Sequence, residues 1–124
     1  MVFGIGTDIV EIERIALINL ERFTNRILNE EEQSHLASVS KRTIEYLAGR
    51  FAAKEAISKA LGTGIGSRLS FHDISIVKDK RGAPKVQLTE QVIKSFFGDQ
   101  SVSIHLSISH SKHYAVATAV IEVD

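Results

Sequence analysis

Residues 50–66 read RFAAKEAISKALGTGIG, a helical stretch that stops at a run of alternating glycines. Extended backwards, the pattern predicts one helix from Lys41 to Leu61, with Gly62 at the residue that ends it. From Ile44 onward, helical spacing places Ala48 and Phe51 on one apolar stripe, with Leu47 beside them. Glu55 falls in the middle of that stripe, and Lys59 lies one turn further on. A charge on a core-facing stripe costs several kcal/mol unless it is paired or holds a cation. Two readings are open here: a helix pair between Glu55 and Lys59, worth a few tenths of a kcal/mol, or a functional carboxylate.

On the N-terminal side, Val2–Ile12 reads as a strand rich in β-branched residues. Alternation puts Phe3, Ile5, Thr7 and Ile9 on one face, and Gly4, Gly6, Asp8, Val10 and Ile12 on the other. Asp8 thus shares its face with two glycines, which leave space beside it. Glycine within a strand marks close approach by a ligand or by another backbone. Asp8 is equally open to a simpler role, capping the turn that follows. Glu11–Arg26 then predicts one helix carrying Arg14, Arg22 and Arg26. These arginines suit either a solvated helix end or a face for an acidic partner. Asn29 and Glu32 form a capping box that starts another helix, with Glu30 to Glu32 crowding its first turn.

Beyond the central helix, Gly62, Gly64 and Gly66 follow a helix instead of opening one, so they are no dinucleotide fingerprint. A flexible loop or a set of amides aimed at a phosphate are the two readings. The rest is mostly β. Phe71–Lys78 and Lys85–Leu88 flank a turn at Asp79–Gly82, a hairpin signal. Thr89 is placed to cap a short helix that ends at Gly98. Val102–Ser109 alternates Val102, Ile104, Leu106 and Ile108 inward against Ser103, His105, Ser107 and Ser109 outward. A turn at His110–His113 returns the chain as a last apolar strand, Tyr114–Val123. The expected fold is α+β: residues 1–124 as one small domain, a mostly antiparallel sheet packed on a long central helix.

Composition narrows the function classes. Apolar residues at 44% and charged residues at 24% are globular values, which exclude a disordered or fibrous chain. Fifteen basic residues balance fifteen acidic ones, so no basic field favours nucleic acid. Cysteine is absent, which removes disulfides and thiolate chemistry and fits a reducing cytoplasm. The first ten residues lack the basic start of a signal peptide, and no apolar run reaches the ~18 residues of a membrane span. A cytoplasmic protein with no membrane partner is expected.

His105, His110 and His113 cluster late, yet one lies in a strand and two in a turn, which disfavours a zinc site. What remains is Asp8 and Glu55, two acids on separate elements. Two carboxylates with open coordination positions suit Mg²⁺, which prefers oxygen ligands and keeps waters or phosphate oxygens. Lys59 would then neutralise a phosphate, a hint of phosphoryl chemistry.

Four stretches, GIGTDIVEIERI (4–15), RFAAKEAISKALGTGIG (50–66), FHDISIVKDKRGAPKV (71–86) and LSISHSKHYAVATAVI (106–121), carry a resemblance over the whole chain. Together they resemble the bacterial holo-acyl-carrier-protein synthases of the 4′-phosphopantetheinyl transferase superfamily, in family order and spacing. One departure is Phe51, where many relatives carry tryptophan; an aromatic ring is kept.

The resemblance implies transfer of the 4′-phosphopantetheine group of coenzyme A to a serine of apo-acyl carrier protein, releasing adenosine 3′,5′-bisphosphate, in support of fatty acid biosynthesis. It implies Asp8 and Glu55 as Mg²⁺ ligands and Lys59 as a phosphate contact near the reacting centre. It places Gly62, Gly64, Gly66, Ser109 and His110 along the coenzyme A site, and Arg14, Arg22 and Arg26 where the acidic carrier docks. It also implies a homotrimer with active sites shared between subunits. Two competing readings are a Mg²⁺-dependent hydrolase of nucleotide pyrophosphates, and a silent module binding coenzyme A or carrier protein. A silent module would have no need of both acids together with Lys59.

Overall fold

The structure, a computed structural model, describes residues 1–36 and 43–124. In chain order the elements are β1 (Val2–Glu11), α1 (Ile12–Ala16), α2 (Leu20–Ile27), α3 (Glu30–Ser34), α4 (Thr43–Ala60), β2 (Ile74–Lys78), β3 (Pro84–Leu88), α5 (Glu90–Phe97), β4 (Val102–His110) and β5 (Tyr114–Val123). The α+β expectation holds. β1, β5 and β4 form an antiparallel sheet with β5 in the centre, and β2 and β3 form a separate hairpin. The 18-residue helix α4 lies across the sheet on its inner face. The expected helix start at Lys41 lies outside the described residues.

The packing is set by small residues. Ala115, Ala117 and Ala119 line the inner face of β5, and Ala48, Ala52, Ala53, Ala56 and Ala60 cover α4; all are buried. Short side chains on both sides bring helix and sheet close together. Leu47, Ile57, Ile74, Ile76 and Ile121 then fill the remaining core, each burial contributing about 1.5–3 kcal/mol.

Two expectations need correction. The single helix over Glu11–Arg26 is two helices, because Asn19 accepts the Arg22 amide at 3.0 Å and starts a new one. A short amide side chain offers the backbone an alternative to continuing the helix. Thr89 stands at the N-cap position of α5 but does not cap it; its hydroxyl donates to Asp73 at 3.2 Å. The Asn29–Glu32 capping box forms as expected, and so does the hairpin at Gly82 (φ +86°).

Candidate active site

The site begins where β1 meets α4. A Cβ added at Gly4 would fall 1.9 Å from the Ala60 carbonyl oxygen, and one at Gly6 would fall 1.9 Å from that of Ala56. The two glycines therefore do not leave room for a ligand; helix backbone fills it. Strand period then carries the next residue on that face, Asp8, alongside the turn that holds Glu55 and Lys59. Lys59 Nζ donates to Asp8 Oδ1 at 3.0 Å and to the Thr7 carbonyl at 3.1 Å. The ammonium thus crosses to β1, so the helix pair with Glu55, one of the two readings the sequence left open, gives way to a pair between elements.

Glu55 is half-buried. Burial raises its carboxyl above the ordinary range, and the nearby Asp8 charge raises it further, with Lys59 and Arg26 pulling the other way. Its place on the helix also corrects the sequence reading. Phe51 and Glu55 are half-buried and Lys59 is exposed, while Ala52, Ala53, Lys54, Ala56 and Ile57 are buried. The line through Phe51, Glu55 and Lys59 is the most open one on α4, not its core-facing stripe. Asp8 and Glu55 line a cleft of about 360 Å³ together with Arg14, Phe51, Ile15 and Tyr114.

The three arginines separate. Arg14 is on α1 and lines this cleft, whereas Arg22 and Arg26 are exposed on α2. Arg26 lies over the Phe71 ring at 5.7 Å and borders an adjacent hollow of about 310 Å³ with Ile65, Gly66 and Ser70. Phe23, Phe51 and Phe71 pack as a row of tilted rings, with centroids 5.3 and 5.8 Å apart.

The glycine turn is built differently from an amide cradle. The amides of Gly62, Thr63 and Gly64 donate to Lys59 and Ser58 carbonyls, and that of Gly66 donates to Leu69. The first three close the C-terminus of α4, where carbonyls and not amides need partners. Gly62 and Gly64 take positive φ to do so. Ser109 and His110 are exposed at the end of β4, with His110 3.9 Å from Glu45. Glu45 lies ten residues before Glu55 on α4, or about 15 Å along the helix axis. Within one chain, then, Asp8, Glu55, Lys59 and Arg14 come together, and Ser109 and His110 do not join them. His105 and His113 meet Glu122 and Glu13, so each of these histidines faces a different carboxylate.

Sequence reasoning missed Lys54. Its ammonium is fully buried and donates to Glu32 Oε1 (2.6 Å), the Ile27 carbonyl (2.6 Å) and the Phe71 carbonyl (3.0 Å). Burial pulls its pKa below the ordinary lysine value, with the Glu32 carboxylate opposing. Glu32, 1% exposed, also accepts the amides of Asn29 and Ile76. This pair ties α2, α3, α4, β2 and the Phe71 turn together, immediately beside Glu55. No periodicity separates Lys54 from a surface lysine; the partner is 22 residues away.

Among the described residues, no group of three or more His, Cys, Asp or Glu converges as a metal cage. Two hard carboxylates, both half-buried and close enough for one to raise the other's pKa, suit a hard divalent cation that draws its remaining ligands from water or phosphate.

The family model of the 4′-phosphopantetheinyl transferase superfamily matches residues 4–119. A holo-[acyl-carrier-protein] synthase of Geobacillus sp. (strain WCH70) is 50% identical over 125 residues, covering 98% of each chain. The structure is similar to a holo-(acyl-carrier-protein) synthase from Bacillus anthracis in complex with CoA (3′,5′-ADP), with TM-score 0.84, 46% identity, and 100% and 99% of the two chains covered. It is also similar to the Helicobacter pylori holo-[acyl-carrier-protein] synthase in complex with coenzyme A, with TM-score 0.82, 38% identity, and 95% and 99% covered.

Proposed function

The chain belongs to the 4′-phosphopantetheinyl transferase superfamily, among its holo-[acyl-carrier-protein] synthases, and from that premise we propose how its own residues carry the reaction. Coenzyme A donates its 4′-phosphopantetheine group to a serine of an apo-acyl carrier protein, and adenosine 3′,5′-bisphosphate leaves. The observation that carries this reading is that Asp8 and Glu55 line one cleft while Lys59 is bound to Asp8.

Asp8 and Glu55 would hold Mg²⁺, which when bound polarises the attacked phosphate and offsets charge on the leaving group. The serine oxygen forms a new bond to the β-phosphorus of the coenzyme, and the bond from that phosphorus to the bridging oxygen breaks. The serine proton passes to a carboxylate of the acid pair or to water held by it. Lys59, half-exposed beside the acids, supplies a cation to the pyrophosphate. Phe51 and Tyr114 wall the cleft and limit water around the reacting centre.

Arg14 on the cleft rim, with Arg22 and Arg26 on α2, forms the face for the acidic carrier. The outer face of the sheet supports a homotrimer. Ile5 and Ile9 are 68% and 64% exposed there, beside half-buried Val116 and Val120 of β5, an apolar patch that a second copy would cover. The displaced Ser109 and His110, with Gly62, Gly64 and Gly66, would then border coenzyme A bound between neighbouring subunits. The setting we infer is cytoplasmic fatty acid biosynthesis; among the described residues no helix is long and apolar enough to cross a membrane.

The test is incubation with coenzyme A, Mg²⁺ and apo-carrier protein, read by intact mass. Gain of one phosphopantetheine mass on the carrier, lost on chelation of the metal, is expected. Release of adenine nucleotide without carrier modification would instead mark a pyrophosphate hydrolase, and no turnover would mark a binding module.

A further inference from the structure

Lys59 occupies one oxygen of the carboxylate that would hold the metal. The ammonium is 3.0 Å from Asp8 Oδ1 and 3.1 Å from the Thr7 carbonyl. The Asp8 side chain is only 17% exposed, so little of the carboxylate remains open once Lys59 is seated. Lys59 itself is 52% exposed at the end of a flexible four-carbon stem, so it can leave without disturbing α4. Resting on the reading of Asp8 and Glu55 as the metal ligands, we propose that Lys59 is the internal counter-ion of this acid pair. In the metal-free chain it sits on Asp8 and competes with the divalent cation for that carboxylate. A pyrophosphate arriving in the cleft offers Lys59 a better partner, because a diphosphate carries more charge than one carboxylate.

Two consequences follow from competition at one carboxylate. Metal alone binds weakly, because a cation at Asp8 must either displace the ammonium or sit against it. Coenzyme A strengthens metal binding by drawing Lys59 away, and by linkage the metal strengthens coenzyme binding by the same factor. The lysine thereby favours loading metal and coenzyme together, so a bare metal is not held in an empty cleft.

The experiment measures Mn²⁺ affinity by titration calorimetry or by the spin signal of free Mn²⁺, without and with saturating coenzyme A. K59M is expected to bind Mn²⁺ alone about tenfold more tightly than the unsubstituted chain, and to lose most of the tightening that coenzyme A gives. K59R, which keeps the charge, should stay near the unsubstituted chain. If K59M binds Mn²⁺ alone no more tightly, or if K59R tightens as much as K59M, the counter-ion role is wrong. D8N separates this from the underlying assignment. D8N that retains full Mn²⁺ affinity would overturn Asp8 as a ligand, whereas D8N that loses Mn²⁺ while K59M gains nothing would overturn only the role given to Lys59.

Discussion

Gly6 and Ala56 meet backbone to backbone: a Cβ on Gly6 would sit 1.9 Å from the Ala56 carbonyl oxygen. This contact sets the distance between β1 and α4, and with it the distance between Asp8 and Glu55. The acid pair is thus positioned by two residues that carry no chemistry.

Gly6→Ala is accordingly expected to force α4 off β1. Overpacking of this kind costs about 1–3 kcal/mol or more, and carrier modification should fall with it even where the variant stays folded. Gly66→Ala is the control, since nothing lies within 4 Å of its Cβ and its φ is not positive. Urea unfolding of G66A should stay within about 0.5 kcal/mol of the unsubstituted chain. Equal losses for both glycines would refute the packing argument.

Glu55→Gln should separate activity from stability. Because the folded chain holds the Glu55 proton more tightly than the unfolded chain, this group's contribution to stability falls as pH rises through its raised range. At neutral pH without metal, the ionised carboxylate opposes the fold. E55Q should therefore match or exceed the parent melting temperature at pH 7, with the difference closing at acid pH where Glu55 is protonated. Transfer should be abolished. A lower melting temperature for E55Q at pH 7 would contradict the raised pKa of Glu55, and retained transfer would contradict its role as a metal ligand.

Lys54→Met leaves the Glu32 carboxylate buried beside the amides of Asn29 and Ile76 but without its cation. The expected loss is about 3–5 kcal/mol. Adding Glu32→Gln removes the stranded charge, so the double variant should lose less than the sum of the singles by at least about 1 kcal/mol. Strict additivity in denaturant unfolding would show that the pair does not act as a unit.

Ile5→Glu or Ile9→Glu places a charge on the exposed outer face of the sheet. If that face joins subunits, light scattering should show the variants shifted toward monomer, with carrier modification falling in parallel. An unchanged assembly would place the subunit contact elsewhere.

Several signals that depend on local geometry survived into the fold, although the Thr89 cap did not. The period of two along β1 put Asp8 on the face of Gly4 and Gly6, and the structure keeps it there. The Asn29–Glu32 box is likewise a matter of three residues' spacing. The alternation of β4 likewise marked which of its sides would be buried. The motif stretches also carried the family, because they are ordered along the chain.

Tertiary packing alone decided the rest. α4 is buried almost all round, so no single stripe faces the core, and the line taken as apolar is the open one that presents Glu55. Glycine in a strand announces close approach without saying by what; only the folded chain shows helix backbone there. Glu32 was legible as a cap, but its bond to Lys54 spans 22 residues and two elements. The sequence by itself determined which residues could do chemistry and which face of β1 would carry Asp8. Only the tertiary structure decided that Lys59 reaches across to Asp8, because side-chain pairing between elements follows from how closely their backbones approach, and two glycines set that approach.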